Sequence, residues 1–133
     1  MTNRKAPVNK LPEGIAAMRK LYRNYRNAAI YRGYSFELTE EQFSRLTQAD
    51  CFYCGRKPTQ VLSAKNGMKQ GYSLNGDYTH NGIDRMDNDQ GYTLENSIAC
   101  CKICNRAKQA MDMDDFIAWI QDLVNHTLTR YDK

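Results

Sequence analysis

Ile83-Asp84-Arg85-Met86-Asp87-Asn88, Glu95-Asn96 and Cys101-Lys102-Ile103-Cys104-Asn105-Arg106-Ala107-Lys108 are the stretches that decide how this chain folds. Asn81-Gly82 is a hairpin-type turn signal that leads into Ile83. A polar loop then runs to Asn96, and Ser97-Ile98-Ala99-Cys100 is a second short apolar run. Short β-prone runs bounded by turn residues read as strands, so the order is strand, loop, strand, helix.

Cys101 and Cys104 form one C-x-x-C pair, and Cys51-Phe52-Tyr53-Cys54-Gly55 supplies another. Met1 to Lys10 is polar and basic rather than a secretion signal, and reducing surroundings argue against disulfides. Four thiolates in two such knuckles are the preferred tetrahedral set for structural Zn²⁺. A four-cysteine shell leaves no open position for water, so Cys51, Cys54, Cys101 and Cys104 are expected to staple the fold and do no chemistry. Cys100 is the thiol left over; on a strand it points away from Cys101 and reads as a small buried residue.

With these knuckles in register, the chain resembles the zinc-containing HNH endonucleases, in particular the phage-type subset. The resemblance covers residues 80–111 closely and 51–55 as the partner knuckle. It implies an α+β fold with a ββα-metal core, a Cys₄ zinc site and metal-dependent cleavage of nucleic acid, double-stranded DNA being the favoured substrate. The family's strand ends in Asp-His, an Asn follows about a dozen positions on, and an Asn or His lies nine further along. Those slots fall on Asp84 and Arg85, on Asn96 and on Asn105. A carboxylate from a strand end and an amide oxygen from a facing helix leave a Mg²⁺ or Mn²⁺ ion mostly hydrated and open to phosphate. By resemblance Asp84 and Asn105 are the ligands of that catalytic ion, Asn96 orients the loop by hydrogen bonds, and Arg106 and Lys108 steady the scissile strand.

Arg85 departs from the pattern, because the family's general base is a His at that position. Arginine does not give up its proton near neutrality; it is suited instead to clamping a phosphate oxygen or stabilising transition-state charge. His80 is the candidate substitute base. On a straight strand it lies about 13 Å from Asp84 on the same face, so it serves only if Asn81-Gly82 folds the chain back. His126 falls among polar neighbours late in the last helix and is given no role.

The flanks complete the reading. Residues 1–33 hold eight Lys or Arg against one Glu, a net +7, while residues 34–133 carry −3. A basic arm beside an acidic body suits phosphate binding with counterion release. Pro12 opens a helix whose Ile15, Met18, Tyr22, Tyr25 and Ala29 recur at helical spacing until Gly33. Arg19, Arg23 and Arg26 form a neighbouring stripe for a nucleic-acid backbone. Thr39 with Gln42 is a capping box for a short helix through Phe43 and Leu46. Residues 57–80 read as an insertion with short strands, signalled by Asn66-Gly67 and Asn75-Gly76. A closing helix capped near Asp112 is expected to bury Phe116, Ile117, Trp119, Ile120, Leu123 and Val124.

At 133 residues, 41% hydrophobic and 26% charged, the composition is that of an ordinary folded domain. The expectation is a basic helical arm over 1–50 packed on a zinc-stapled core over 51–133, forming a single compact domain. No run approaches the roughly 18 apolar residues of a membrane span, which places the protein in the cytoplasm, the resemblance implying a phage-encoded enzyme at work in its host. The leading reading is an endonuclease. Beside it stand a nuclease-like module that has lost cleavage and binds nucleic acid or protein, and a purely structural zinc adaptor. Oligomeric state is not readable from these residues.

Overall fold

β3 (Gly82–Arg85) and β4 (Ser97–Cys100) pair antiparallel, with Gly82 opposite Cys100 and Asp84 opposite Ile98. The chain leaves β4 at Cys101, which takes the N-cap position of α3 (Lys102–Lys108) and accepts a hydrogen bond from the Cys104 amide at 3.4 Å. These three elements are the ββα unit expected from the sequence. They belong to an α+β fold in a computed structural model that describes residues 12–63 and 75–131. Arg4, Lys5 and Lys10 of the basic arm and the Asn66-Gly67 turn lie outside the described residues.

β1 (Gln60–Leu62) and β2 (Tyr78–His80) form a second antiparallel pair, with Gln60 opposite His80. Asn81 separates this sheet from β3. Its amide donates to Thr47 O at 2.7 Å and its Nδ2 to Ala49 O at 3.0 Å, so the chain changes sheets against the end of α2 (Glu40–Gln48). That helix carries the expected capping box, with the Gln42 amide on Thr39 Oγ1 and the Thr39 amide on Gln42 Oε1.

α1 spans Ile15–Tyr31 and begins one turn later than Pro12 suggested. Gly14 takes a left-handed φ of 88° and donates its amide to Asn75 O at 2.6 Å; this tie holds the chain out of helical geometry until Ile15. The helix ends at Gly33, whose φ of 83° needs no Cβ, and the Tyr34 amide returns to Ala29 O at 2.8 Å. Ala17, Met18, Leu21 and Ala29 of α1 pack with Leu38, Phe43, Tyr78, Ile83 and Tyr92 in the main core. The helix tyrosines pack inward: Tyr22 and Tyr25 each meet the Phe43 ring edge-on with centroids 5.4 Å apart.

Residues 35–37 run alongside Tyr92 in an isolated parallel bridge, which joins the arm to the loop between β3 and β4. Gly91 is required at that crossing, because an added Cβ would stand 2.5 Å from the Ser35 carbonyl oxygen.

α4 (Met113–Arg130) corrects one expectation. Phe116 is buried at 2% exposure, Ile117 and Ile120 are half-buried, and Trp119, Leu123 and Val124 remain 42%, 44% and 46% exposed. Helical periodicity identifies the apolar face but not what covers it. Eighteen residues of helix extend about 27 Å, whereas β3 and β4 have four residues each. Among the described residues the first turn of α4 is held by Phe116 against the Tyr53 ring at 4.8 Å and by the Met113 amide on Met86 O at 3.0 Å. Asp112 occupies the N-cap, yet its side chain accepts from the Asn88 amide rather than capping the helix.

Candidate metal and nucleic-acid site

Cys51, Cys54, Cys101 and Cys104 converge with their sulfurs all within 4.8 Å of one another, Cys54 and Cys101 at 3.7 Å. Sulfurs placed about 2.3 Å from a central ion in a tetrahedron sit about 3.8 Å apart, so the cluster fits a metal such as zinc. Backbone fixes the knuckle: the Phe52 amide donates to Ala99 O at 2.9 Å and the Cys51 amide to Arg56 O at 2.8 Å. Gly55, with a φ of 76°, completes the turn. Burial opposes ionisation of Cys51, but amides of Cys101, Cys54 and Tyr53 outweigh it and bring the thiol down to about 7. Burial and the adjoining sulfurs push Cys104 up. Such a crowded set ionises fully only around a cation. Cys100 is buried and its thiol is pushed up, by burial first and then by the nearby Asp84 charge.

Asp84 is 5% exposed, and both of its oxygens are engaged. Tyr53, lying between the knuckle cysteines, donates its hydroxyl to Oδ2 at 2.9 Å. Lys108 Nζ stands 3.1 Å from Oδ1 and donates to Arg85 O at 3.3 Å. Burial and the Asp84 charge push the Tyr53 phenol up, which keeps it protonated and a donor. A carboxylate offers about four lone-pair sites, so Asp84 retains capacity for an ion. The cavity beside it, of about 300 Å³, is lined also by Arg85, Asn88, Asn105 and Arg32. Asn105 is exposed on α3 and faces this cavity, so the pair expected to ligate the catalytic ion is brought to one place.

Arg85 donates from one Nη to Asn88 O at 2.7 Å and Gln90 O at 2.8 Å, and its guanidinium lies 3.8 Å from the Tyr34 ring centroid. Asn96 closes the same loop: Oδ1 accepts from the Asp87 amide at 2.9 Å, while Nδ2 donates to Asp87 O and Gly91 O. Asn88 Nδ2 in turn donates to Ala110 O.

Other expected residues are placed differently. Lys108, assigned to the scissile strand, is 0% exposed; its contact with Asp84 removes it from any phosphate. His80 is buried in β2, stacked on Tyr78, with Nδ1 3.0 Å from Asn81 O. Burial holds its imidazole below the usual range. Asn81 turns the chain between the sheets, and the Asp84 cavity is lined without His80. Arg19 is paired with Glu40 at 3.0 Å, while Arg23, Arg26 and Arg106 are exposed. Sequence reasoning missed Tyr53, which passed as filler inside a cysteine knuckle, and Arg32, which sits beyond the arginine stripe. Tyr53 reaches Asp84, and Arg32 comes to share a cavity with Asp84 and Arg85, from parts of the chain far apart in sequence. Among the described residues no helix is long and apolar enough to cross a membrane.

No family model matches the chain. An uncharacterized protein of Acanthamoeba polyphaga mimivirus is 32% identical over 105 residues, which is 79% of this chain. The chain spans about 16% of that protein's length. Among solved structures it is similar to the rare-cutting HNH restriction endonuclease PacI, with a TM-score of 0.55 and 20% identity over 98% of this chain and 94% of that one. The chain thus has the fold of an HNH endonuclease, with a hairpin and helix around Asp84 and four cysteines positioned to hold a metal.

Proposed function

We propose that this chain is a metal-dependent endonuclease that hydrolyses nucleic-acid phosphodiesters, with double-stranded DNA as the favoured substrate. The observation that carries the reading is the shared cavity: Asp84, fixed through both oxygens, and the exposed Asn105 line it together with Arg85. Asp84 and Asn105 are oxygen donors suited to Mg²⁺ or Mn²⁺ and would hold that ion. When bound, such an ion neutralises charge developing on the phosphoryl group and eases ionisation of water. The four-cysteine cluster would hold Zn²⁺ as a brace.

Each protein group then has a separate task. Tyr53 and Lys108 aim the Asp84 carboxylate, and Asn96 fixes the loop through its three hydrogen bonds. Arg85 keeps Nε and the second Nη for a phosphate oxygen while Tyr34 supports its plane. Exposed Arg23, Arg26 and Arg106 suit the flanking backbone. PacI is itself a DNA-cutting HNH enzyme, which favours duplex DNA. Four cysteines placed for a metal rather than for disulfides suit a cytoplasmic setting, and the mimivirus relative accords with a viral source.

A binding module without cleavage is the second reading. It is favoured by the partners already on both Asp84 oxygens and by the absence of His80 from the cavity. Asn105→Ala separates the two readings, because an exposed side chain is removed at little cost to folding. A nuclease loses more than the roughly 10–100-fold typical of an outer-shell ligand partner in Mn²⁺-dependent nicking of supercoiled DNA, with duplex binding in metal-free buffer retained. A wild-type protein that binds duplex and never nicks it is the binding module.

A further inference from the structure

Two arginines share one aromatic ring at the Asp84 cavity. The Arg85 guanidinium carbon lies 3.8 Å from the Tyr34 centroid and that of Arg32 lies 5.7 Å from it. Both arginines line the cavity that contains Asp84 and Asn105. Among the described residues neither has an ion-pair partner, whereas Arg19, Arg45, Lys57 and Lys108 each have one. Among the described residues Asp84 is the one carboxylate lining the cavity, and it is committed to Lys108. One negative charge against three positive ones leaves this group at +2.

That arrangement favours an anion. Two guanidiniums brought to one ring repel each other, and the negative ring face offsets the repulsion only in part. An oxyanion between them satisfies both, since a guanidinium presents a fork of N–H donors matched to phosphate oxygens. The donors remain available: Arg32 uses Nε on Ala28 O at 3.4 Å, and Arg85 uses one Nη on the loop carbonyls. Arg32 also ends α1, where the negative pole of the helix steadies a cation.

We propose that Arg32 is a second phosphate-binding residue of this cavity, paired with Arg85 across Tyr34, and that the pair grips a nucleic-acid phosphodiester without any divalent cation. Only the choice of nucleic acid as the source of that phosphate rests on the nuclease reading.

The test is binding of a fluorescently labelled duplex to the intact, zinc-loaded chain, followed by anisotropy across a NaCl series with no divalent cation added. Arg32→Gln is expected to weaken binding roughly tenfold and to reduce the slope of log Kobs against log salt by about 0.9, the value of one lost phosphate contact. Arg32→Lys is expected to keep the slope yet bind more weakly, because a point charge replaces the fork. Arg45→Gln, which removes an exposed charge from α2 away from the cavity, serves as the control and is expected to match wild type. The proposal is overturned if Arg32→Gln behaves as Arg45→Gln does, or if the wild-type chain shows no salt-dependent duplex affinity.

The same preparations are then given Mg²⁺ and supercoiled DNA. Cleavage by wild type with unaltered Arg32→Gln binding removes the arginine pair and leaves the nuclease. The Arg32 binding defect without cleavage by wild type keeps the pair and removes the nuclease.

Discussion

The ββα unit and the closing helix invert the usual rule of burial. Around β3, β4 and α3, a lysine and an aspartate are sealed against each other, while along α4 a tryptophan, two leucines and a valine stand in solvent. A buried ion pair is a weak source of stability, because desolvation offsets most of the attraction. Its presence beside the hairpin is better explained by the fixed direction it gives Asp84. The exposed stripe on α4 shows the converse: an amphipathic pattern records a face, and burial requires an element opposite it. Polar order in this protein is concentrated where chemistry is proposed, and apolar surface is left where nothing among the described residues packs.

If the polar half depends on its staples, removing the metal should have the largest effect. Structural Zn²⁺ in small domains contributes about 10–16 kcal/mol of apparent binding energy that is also folding energy. Cys54→Ser, or chelation, is expected to abolish the cooperative unfolding transition in calorimetry; a folded, zinc-free Cys54→Ser protein would show that the cysteine cluster does not brace the fold.

Next comes the sealed ion pair. Lys108→Met leaves Asp84 buried without its counter-charge and should cost about 3–5 kcal/mol in urea denaturation. Adding Asp84→Asn to it should recover most of that loss, and a single-variant cost below about 1 kcal/mol would deny the pair its structural role.

The two ends of α4 should then respond differently. Phe116→Ala is expected to cost about 3–5 kcal/mol, as for a buried aromatic, and Leu123→Ala no more than about 0.5 kcal/mol, as for an exposed site. A large loss at Leu123 would mean that the apolar stripe is covered in solution.

The smallest effect is a pH dependence at His80. Its folded pKa is depressed by burial, so the unfolded chain takes up the proton more readily. The stability it contributes is complete above the unfolded value of about 6.5 and is lost as pH falls through the folded value. Wild type should lose stability faster than His80→Gln below that pH. Parallel curves would show that burial leaves this imidazole unperturbed.

The ββα unit was legible because its signals are local. Two C-x-x-C pairs, an Asn-Gly turn and the spacing from Asp84 through Asn96 to Asn105 each span few residues, and the cysteine cluster follows from them. Lys108 misled because a lysine on a short helix ordinarily reads as solvated, whereas its position on α3 turns it onto Asp84 24 residues earlier. Tyr53 and Asp84 are 31 residues apart and meet only after the knuckle docks on β4. Arg32 and Arg85, farther apart still, meet only over Tyr34. Tertiary contacts of this kind leave no periodic trace in a sequence.

The most direct test of cleavage at Asp84 is a time course of supercoiled DNA with zinc-loaded protein and titrated Mg²⁺ or Mn²⁺, wild type against Asp84→Asn, with folding of both verified by circular dichroism. If Asp84 holds the catalytic ion, wild type nicks or linearises the DNA in a metal-dependent way and Asp84→Asn does not, although it still binds the DNA. Equal cleavage by the two folded proteins, or none by wild type, would contradict it.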